Sequence, residues 1–263
     1  MMGPSTAYGP FGNDEETLAL LDRTWELGYT NWDTANSYGD SEAQIGNLEF
    51  FSECLEGSLQ KMGVDYVDLY YVHRLNPKVP VEKTMELMAE AKKRGTCCHA
   101  TAYAVAPVDA VQNKTGTNLL SICRELGITV FAYAPLGRGI LTGPIKSTDD
   151  FAPDDFRRVV PRFSPGNFPK NLVLVDRFGT LADKTGCTPG HLALAWLSAQ
   201  GEDIISIPGT KKLKYMRENV GALKVHISKE EVQEIRDEVE KAGLAGHRNP
   251  PGTFTEYSVT VEL

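Results

Sequence analysis

The chain has 263 residues, of which 41% are hydrophobic and 24% are charged, as in a globular protein with a sizeable buried core. Its net charge of -8 argues against a nucleic-acid or anionic-membrane partner. No apolar run approaches the ~18 residues that span a bilayer, and the start, Met1–Pro4, predicts no signal peptide. Five cysteines without a recognisable spacing favour reduced thiols in a cytoplasmic protein over disulfides or a metal site.

Strand and helix patterns alternate along the chain. Apolar residues at helical spacing predict helices over 14–27, 81–94, 118–126, 189–200 and 228–241, the first with Leu18, Leu21 and Trp25 on one face. Runs of β-branched and aromatic residues predict strands over 28–32, 64–72, 108–112, 128–133 and 203–207. Ser228 followed by Glu231 has the spacing of a capping box. Such alternation predicts parallel β-α units in a single domain, 1–263.

Two segments interrupt the alternation. Residues 144–169 are polar and rich in proline, and a loop insertion of this length is either a solvated excursion or a lid over a substrate. Residues 243–263 form a C-terminal tail, which either packs over a pocket or is partly disordered.

Three residues have the chemistry of a carbonyl reductase. Asp33 and Tyr38 lie five positions apart after one predicted strand, and His73 ends another. A tyrosine has a pKa near 10 and serves as a proton donor at neutral pH only beside a cation, while a histidine can orient a carbonyl oxygen. The spacing alone more often indicates a helix cap, a packed tyrosine and a structural histidine.

Four longer segments resemble the aldo-keto reductases. They are Trp32–Gly39 (WDTANSYG), Leu59–Arg74 (LQKMGVDYVDLYYVHR), Tyr133–Gly139 (YAPLGRG) and Ile207–Lys212 (IPGTKK), in family order over nearly the whole chain. The branch they resemble contains pyridoxal-reductase-like and perakine-reductase-like enzymes. The resemblance implies an α/β fold of the (β/α)8 TIM-barrel type.

The resemblance also implies roles for individual residues. Tyr38 is similar to the family's general acid, Asp33 to the residue that supports it, and His73 to the group that holds the substrate oxygen. The implied cofactor is NADPH, with Gln112 on the nicotinamide carboxamide. Leu136, Gly137 and Arg138 resemble the loop along the pyrophosphate; Pro208, Gly209, Thr210, Lys212, Glu218 and Asn219 resemble the adenosine-phosphate site.

The chain departs from the family where the catalytic lysine is expected. Between Tyr38 and His73 the one lysine is Lys61, which matches an exposed helix end. The strand that carries the family lysine is missing, so the barrel is predicted to be incomplete or rearranged, with strands one, three and five lost or rebuilt. Residues 97–105 are a candidate replacement strand. Position 134 is alanine where the family usually has a serine.

Two functions are compatible with this pattern. The first is NADPH-dependent reduction of a small-molecule aldehyde or ketone to an alcohol, with Tyr38 as proton donor. The second is a catalytically impaired relative that binds a cofactor or a partner protein, or a truncated splice or annotation product. The sequence identifies neither the substrate nor the oligomeric state.

Overall fold

The computed structural model describes residues 14–28, 48–71, 81–101, 124, 129–210, 212–247 and 250. In chain order they form α1 (Asp14–Glu26), α2 (Leu48–Met62), β1 (Val67–Tyr71), α3 (Val81–Lys93), β2 (Cys97–Thr101), β3 (Val130–Tyr133), α4 (Phe168–Thr185), α5 (Pro189–Ser198), β4 (Ile204–Ile207), α6 (Leu213–Gly221) and α7 (Lys229–Ala242). The chain divides into a first unit, 1–33 with 104–250, and a second unit, 34–103 with 251–263, each described by itself.

The core of the first unit forms around α5. Strands β3 and β4 pair in parallel, with Val130 opposite Ile204 and Tyr133 opposite Ile207. Helices α4, α5 and α7 pack with this sheet through a buried cluster of Ala132, Phe178, Ala182, Leu192, Ala193, Trp196, Leu197 and Ile235. Each large apolar side chain buried there contributes about 1.5–3 kcal/mol. Helix α5 is apolar on nearly every face because it lies in the middle of this cluster.

The ends of two helices follow from local sequence. Thr188 caps α5 by accepting a hydrogen bond from the His191 backbone N–H, and Pro189 follows at the first helical position, where its missing N–H costs nothing. Ser228 and Glu231 form the predicted capping box at the start of α7, which is therefore confirmed.

The second unit contains one β-α-β element. Strands β1 and β2 pair in parallel, with Val67 opposite Cys97, and α3 connects them. Leu55 and Leu59 of α2 and Ala91 of α3 pack against β1. The prediction that residues 97–105 supply a replacement strand is confirmed over Cys97–Thr101, and residues 102–105 lie outside the described part of the chain.

Of the face predicted for α1, the one residue whose side chain the structure describes is exposed. Trp25 is 63% exposed, whereas Leu20 and Thr24 are buried. Thr24 donates its hydroxyl to the Leu20 carbonyl oxygen at 2.6 Å and contacts Met216 Sδ of α6 at 3.0 Å. The contact with α6 therefore lies on the Leu20–Thr24 side of the helix, and the side chains of Leu18 and Leu21 lie outside the described residues.

Residues 144–167 are packed and are not a solvated excursion. Short 3-10 turns at Thr148–Asp150, Phe156–Val159 and Pro161–Phe163 bury Phe151, Val160, Phe163 and Phe168 in one cluster. The Phe151 and Phe163 rings meet edge to face at 5.3 Å between centroids. We call residues 144–167 the aromatic segment.

The described start of the C-terminal tail packs beside this segment. Asn171, 1% exposed, donates to the carbonyl oxygens of Arg162 (2.9 Å) and Ala245 (3.0 Å) and accepts from the Ala245 N–H (2.9 Å). No helix among the described residues is both long enough and apolar enough to cross a bilayer.

Candidate cofactor site

Two loops leave the same edge of the β3–β4 sheet. Because the strands are parallel and Tyr133 pairs with Ile207, the loop after β3 and the turn after β4 both begin at the carboxyl end of the sheet. In parallel α/β folds, ligands bind at this edge. Each predicted cofactor residue that the structure describes lies in one of these loops or in helix α6, which follows the second.

The loop after β3, residues 134–143, has an unusual backbone. Ala134 and Arg138 have φ values of +50° and +58°, and Gly137 and Gly139 have +59° and +92°. Left-handed conformations cost a residue with a side chain on the order of 1–3 kcal/mol and cluster at ligand sites. Right-handed and left-handed residues in succession also turn backbone N–H groups into anion-binding concavities. We call these residues the β3 loop. Its Gly137 and Gly139 N–H groups donate to the Ala134 and Leu136 carbonyl oxygens at 2.9 Å each, so a phosphate would be bound by other N–H groups of the loop.

Side chains of the protein pack closely against the two central glycines of the β3 loop. A Cβ on Gly137 would lie 2.9 Å from Ile140 Cγ2, and one on Gly139 would lie 3.3 Å from Ile145 Cδ1. Leu136 and Leu141 anchor the loop by packing against the core around α5. Positive φ favours glycine at both positions, and close packing against Ile140 adds a steric constraint at Gly137.

The aromatic segment holds the β3 loop from one side. Arg157 Nη1 donates to the Arg138 carbonyl oxygen at 3.0 Å, and the Arg138 guanidinium lies over the Phe156 ring, 5.5 Å from its centroid. Asp155, 5% exposed, accepts from Arg157 Nη2 at 2.6 Å. Burial acts to raise the pKa of the Asp155 carboxyl, but its hydrogen bonds with Arg157 and the Arg157 charge leave that pKa below its ordinary value.

The first turn of α5 links the β3 loop to α6. Thr188 Oγ1 donates to Glu218 Oε1 at 2.9 Å. A Cβ on Gly190 would lie 3.3 Å from the same oxygen and 3.7 Å from Thr142 Cγ2, so the end of the β3 loop and Glu218 lie close together. Asn219, the next residue, is buried. The structure thus brings Leu136–Arg138 and Glu218–Asn219 to neighbouring elements.

The turn after β4 carries positive charge. Thr210 Oγ1 accepts from the Lys212 backbone N–H at 3.1 Å, which shapes the turn before α6 begins at Leu213. The ammonium groups of Lys212 and Lys214 each lie 5.9 Å from the centroid of the Tyr215 ring. Two lysines beside a helix amino terminus are favourable for binding a phosphate.

The predicted catalytic residues and one cofactor residue lie outside the described residues. These are Asp33, Tyr38, His73 and Gln112. Lys61 is described: it lies in the last turn of α2 and is exposed, as the sequence predicted.

Comparison with known proteins identifies the family. The model of the aldo/keto reductase family matches residues 48–112 and 102–240. The aldo-keto reductase str7 of Strobilurus tenacellus is 40% identical, covering 94% of this chain and 88% of its own length. The NADP(+)-named aldo-keto reductase yakc of Schizosaccharomyces pombe is 38% identical, covering 95% and 90%. The chain belongs to the aldo/keto reductase family.

This aldo/keto reductase also has the family fold. A solved structure, the thermostable aldo-keto reductase Tm1743 with the inhibitor epalrestat, superposes with a TM-score of 0.65 over 90% of this chain and 93% of that one, at 23% identity. The predicted α/β fold of the (β/α)8 type is therefore confirmed. The described residues include four strands, which form two two-stranded sheets. The predicted branch of the family stays a prediction.

The family member is internally shortened. Its alignment with the Strobilurus relative extends over 296 residues and that with the Schizosaccharomyces relative over 307, both longer than the 263-residue chain itself. Such alignments require gaps within this chain. They support the predicted loss of segments that its relatives retain.

Sequence reasoning missed three residues of this aldo/keto reductase site: Thr188, Asp155 and Arg157. Thr188 followed by Pro189 has the sequence pattern of a helix start, so Thr188 could have been predicted as the capping residue. No sequence signal pointed to Arg157, because its partner is a backbone carbonyl 19 positions away.

Proposed function

We propose that this chain binds NADPH and reduces a small-molecule aldehyde or ketone to an alcohol. The observation that carries the proposal is the shared edge of β3 and β4, from which a left-handed glycine loop and a lysine-bearing turn both emerge. The first suits a pyrophosphate and the second an adenosine 2′-phosphate. The family's use of a nicotinamide cofactor agrees with this chemistry.

The described residues fit the dinucleotide on physical grounds. Gly137 and Gly139 adopt left-handed backbone conformations, and such conformations in succession with right-handed ones are suited to an anion such as the pyrophosphate. Leu136, Gly137 and Arg138 are assigned to this group. The adenosine end is assigned to Pro208, Gly209, Thr210, Lys212, Glu218 and Asn219, and the nicotinamide carboxamide to Gln112. When bound, the cofactor supplies the hydride.

The phosphorylated cofactor is preferred over NADH in this proposal. Within the described part of the chain, Lys212 and Lys214 form no ion pair with an acidic side chain, so their charge is available to a 2′-phosphate. The Schizosaccharomyces relative carries NADP(+) in its name, which supports this choice. Replacing both lysines by methionine should weaken NADPH binding by about tenfold or more, the size of a lost charge-assisted contact. Exposed Lys170→Met is the matched control.

The proton-transfer residues follow from the family pattern. Tyr38 donates the proton to the developing alkoxide, Asp33 supports it, and His73 holds the carbonyl oxygen. A phenol needs a neighbouring cation to be acidic enough at neutral pH. Lys61 at the exposed end of α2 is the one lysine between Tyr38 and His73. We therefore expect turnover below that of relatives with the lysine-bearing strand, within the ~10²–10⁴-fold that general-acid catalysis supplies.

A second function is favoured by the gaps against both curated relatives. If the missing segments include the lysine-bearing strand, the chain retains cofactor binding and loses most of its catalysis. It then acts as a cofactor- or partner-binding protein, or is a truncated splice or annotation product. The unpatterned cysteines support a cytoplasmic location for either form as part of the proposal.

Turnover and binding distinguish the two functions. The rate of NADPH oxidation is measured with a panel of aromatic and aliphatic aldehydes, for the parent, Tyr38→Phe and the control Tyr66→Phe, whose ring is exposed. The reductase proposal expects a rate that Tyr38→Phe abolishes and Tyr66→Phe preserves. Background rates in all three proteins would refute it. NADPH-dependent protection against heat without turnover would support the binding function.

A further inference from the structure

The aromatic segment makes one contact that neither the family pattern nor the sequence assigns. Arg157 reaches out of it and donates Nη1 to the Arg138 carbonyl oxygen at 3.0 Å. Arg138 is one of two non-glycine residues with positive φ among the described residues. The contact therefore falls on a strained peptide of the β3 loop.

The Arg157 guanidinium is itself fixed on several sides. Asp155 Oδ1 accepts from the Arg157 backbone N–H at 2.8 Å and from Nε at 3.0 Å, and Asp155 Oδ2 accepts from Nη2 at 2.6 Å. The guanidinium carbon lies 4.4 Å from the centroid of the Phe151 ring. Asp155 is buried and so is Phe151. A cation held by a buried carboxylate and an aromatic face has little freedom to move.

The Arg157 guanidinium also restricts the conformations that the β3 loop can adopt. A Cβ on Gly139 would lie 3.4 Å from Arg157 Nη1, so the guanidinium fills the space beside Gly139 while it holds the preceding carbonyl. A left-handed peptide persists only where its surroundings over-determine it. Here the surroundings are the Asp155–Arg157 pair on one side and the packed Leu136 and Leu141 on the other.

We infer that Arg157 is a positioning residue for the pyrophosphate of the cofactor: with Asp155, it locks the Arg138–Gly139 peptide in the conformation that the pyrophosphate requires. The inference rests on the proposed function, which assigns the β3 loop to the pyrophosphate. It goes beyond that function because the affinity for the cofactor then depends on Arg157, a residue of the aromatic segment that need not touch the ligand. Pre-organisation of this kind lowers the cost of ordering a loop on binding.

Arg158 provides a matched control. It is the next residue, it carries the same charge, and its hydrogen bonds go to the carbonyl oxygens of Phe151 and Ala152 within the segment. Arg157→Met and Arg158→Met therefore remove equal charge from the same turn. Arg157→Lys keeps the charge beside Asp155 but lacks the planar fork that reaches Asp155 and Arg138 together.

Two ligands separate positioning from general stability. NADPH contains the pyrophosphate, whereas adenosine 2′-monophosphate contains the 2′-phosphorylated adenosine end and neither phosphate of the pyrophosphate. Dissociation constants are measured by isothermal calorimetry at a temperature where circular dichroism shows every variant folded. We expect Arg157→Met to weaken NADPH binding about tenfold, as for a lost charge-assisted hydrogen bond, and to leave the affinity for adenosine 2′-monophosphate within about twofold of the parent. Arg158→Met should leave both ligands unchanged.

Each outcome has a defined meaning. Equal NADPH affinity in the parent, Arg157→Met and Arg157→Lys would overturn the inference and leave the proposed function standing. Equal weakening of both ligands would overturn it too, because the effect would then be general. No NADPH binding by the parent would refute the proposed function, and the inference with it. If Arg157→Met fails to fold, Arg157→Lys is measured in its place, and we expect it to weaken the binding of NADPH alone.

Discussion

Gly137→Ala should destabilise the chain by several kcal/mol because two costs act at once. The position has φ of +59°, where an alanine costs about 1–2 kcal/mol. The alanine also restricts the unfolded chain, which offsets about 0.4–1 kcal/mol. The added Cβ would lie 2.9 Å from Ile140 Cγ2, closer than two carbons can approach, and relieving such overpacking costs about 1–3 kcal/mol. The expected loss in the free energy of unfolding is about 3 kcal/mol.

Gly186→Ala separates the two costs. Gly186 has φ of +72° at the end of α4, and a Cβ there would meet no atom within 4 Å. It therefore carries the conformational cost without the steric one, and the expected loss is about 1 kcal/mol. The difference between the variants, about 2 kcal/mol, measures how tightly the β3 loop is packed.

Equilibrium unfolding in urea, followed by circular dichroism, gives both free energies. With the slope of the transition unchanged, the midpoint for Gly137→Ala should lie clearly below that for Gly186→Ala. NADPH affinity should fall in Gly137→Ala and be retained in Gly186→Ala. Equal destabilisation by the two variants would refute the close packing of Gly137 against Ile140.

Three further predictions concern the aromatic segment and its surroundings. The pKa of the Asp155 carboxyl is lowered in the folded chain. Its contribution to stability is therefore present above the ordinary aspartate pKa near 4 and is lost as pH falls through the lower folded value. Asp155→Asn should remove this pH dependence, so that the acid-unfolding curve is flatter in that range. Phe163→Ala should cost about 3–5 kcal/mol by leaving a cavity among three rings, whereas Val159→Ala, 61% exposed, should stay within about 0.5 kcal/mol; a cost below 1 kcal/mol for Phe163→Ala would contradict the packing. Asn171→Leu should leave the peptide groups of Ala245 without their partner and accelerate limited proteolysis after position 242, and an unchanged cleavage rate would count against that anchor.

The aromatic segment gives the β3 loop a support with a core of its own. Its buried Phe151, Val160 and Phe163 form a cluster with Phe168 of α4, and Ile140 of the loop and Leu172 of α4 pack against that cluster. The segment is therefore continuous with the elements that form the candidate site. The lid interpretation of residues 144–169 stays a prediction, since packing against the loop does not test movement.

Local sequence predicted the elements where local physics decides them. Strands 128–133 and 203–207 were found as Val130–Tyr133 and Ile204–Ile207, because β-branched residues in short runs favour buried parallel strands. The capping box at Ser228 was readable because both of its hydrogen bonds join residues three positions apart. The predicted face of α1 was wrong at Trp25, which is exposed. The helix contacts α6 through Thr24, and its partner Met216 lies 192 positions away in the sequence.

The sequence by itself determined the family. It also predicted the cofactor loops after β3 and β4, and it contains one lysine, Lys61, between Tyr38 and His73. These are properties of residue identity and order, which motifs preserve. The tertiary structure decided what supports those loops: the shared edge of β3 and β4, the Asp155–Arg157 pair on the Arg138 carbonyl, and the packed aromatic segment. Such contacts join groups that are distant in sequence and involve backbone atoms common to every residue, so no sequence pattern records them.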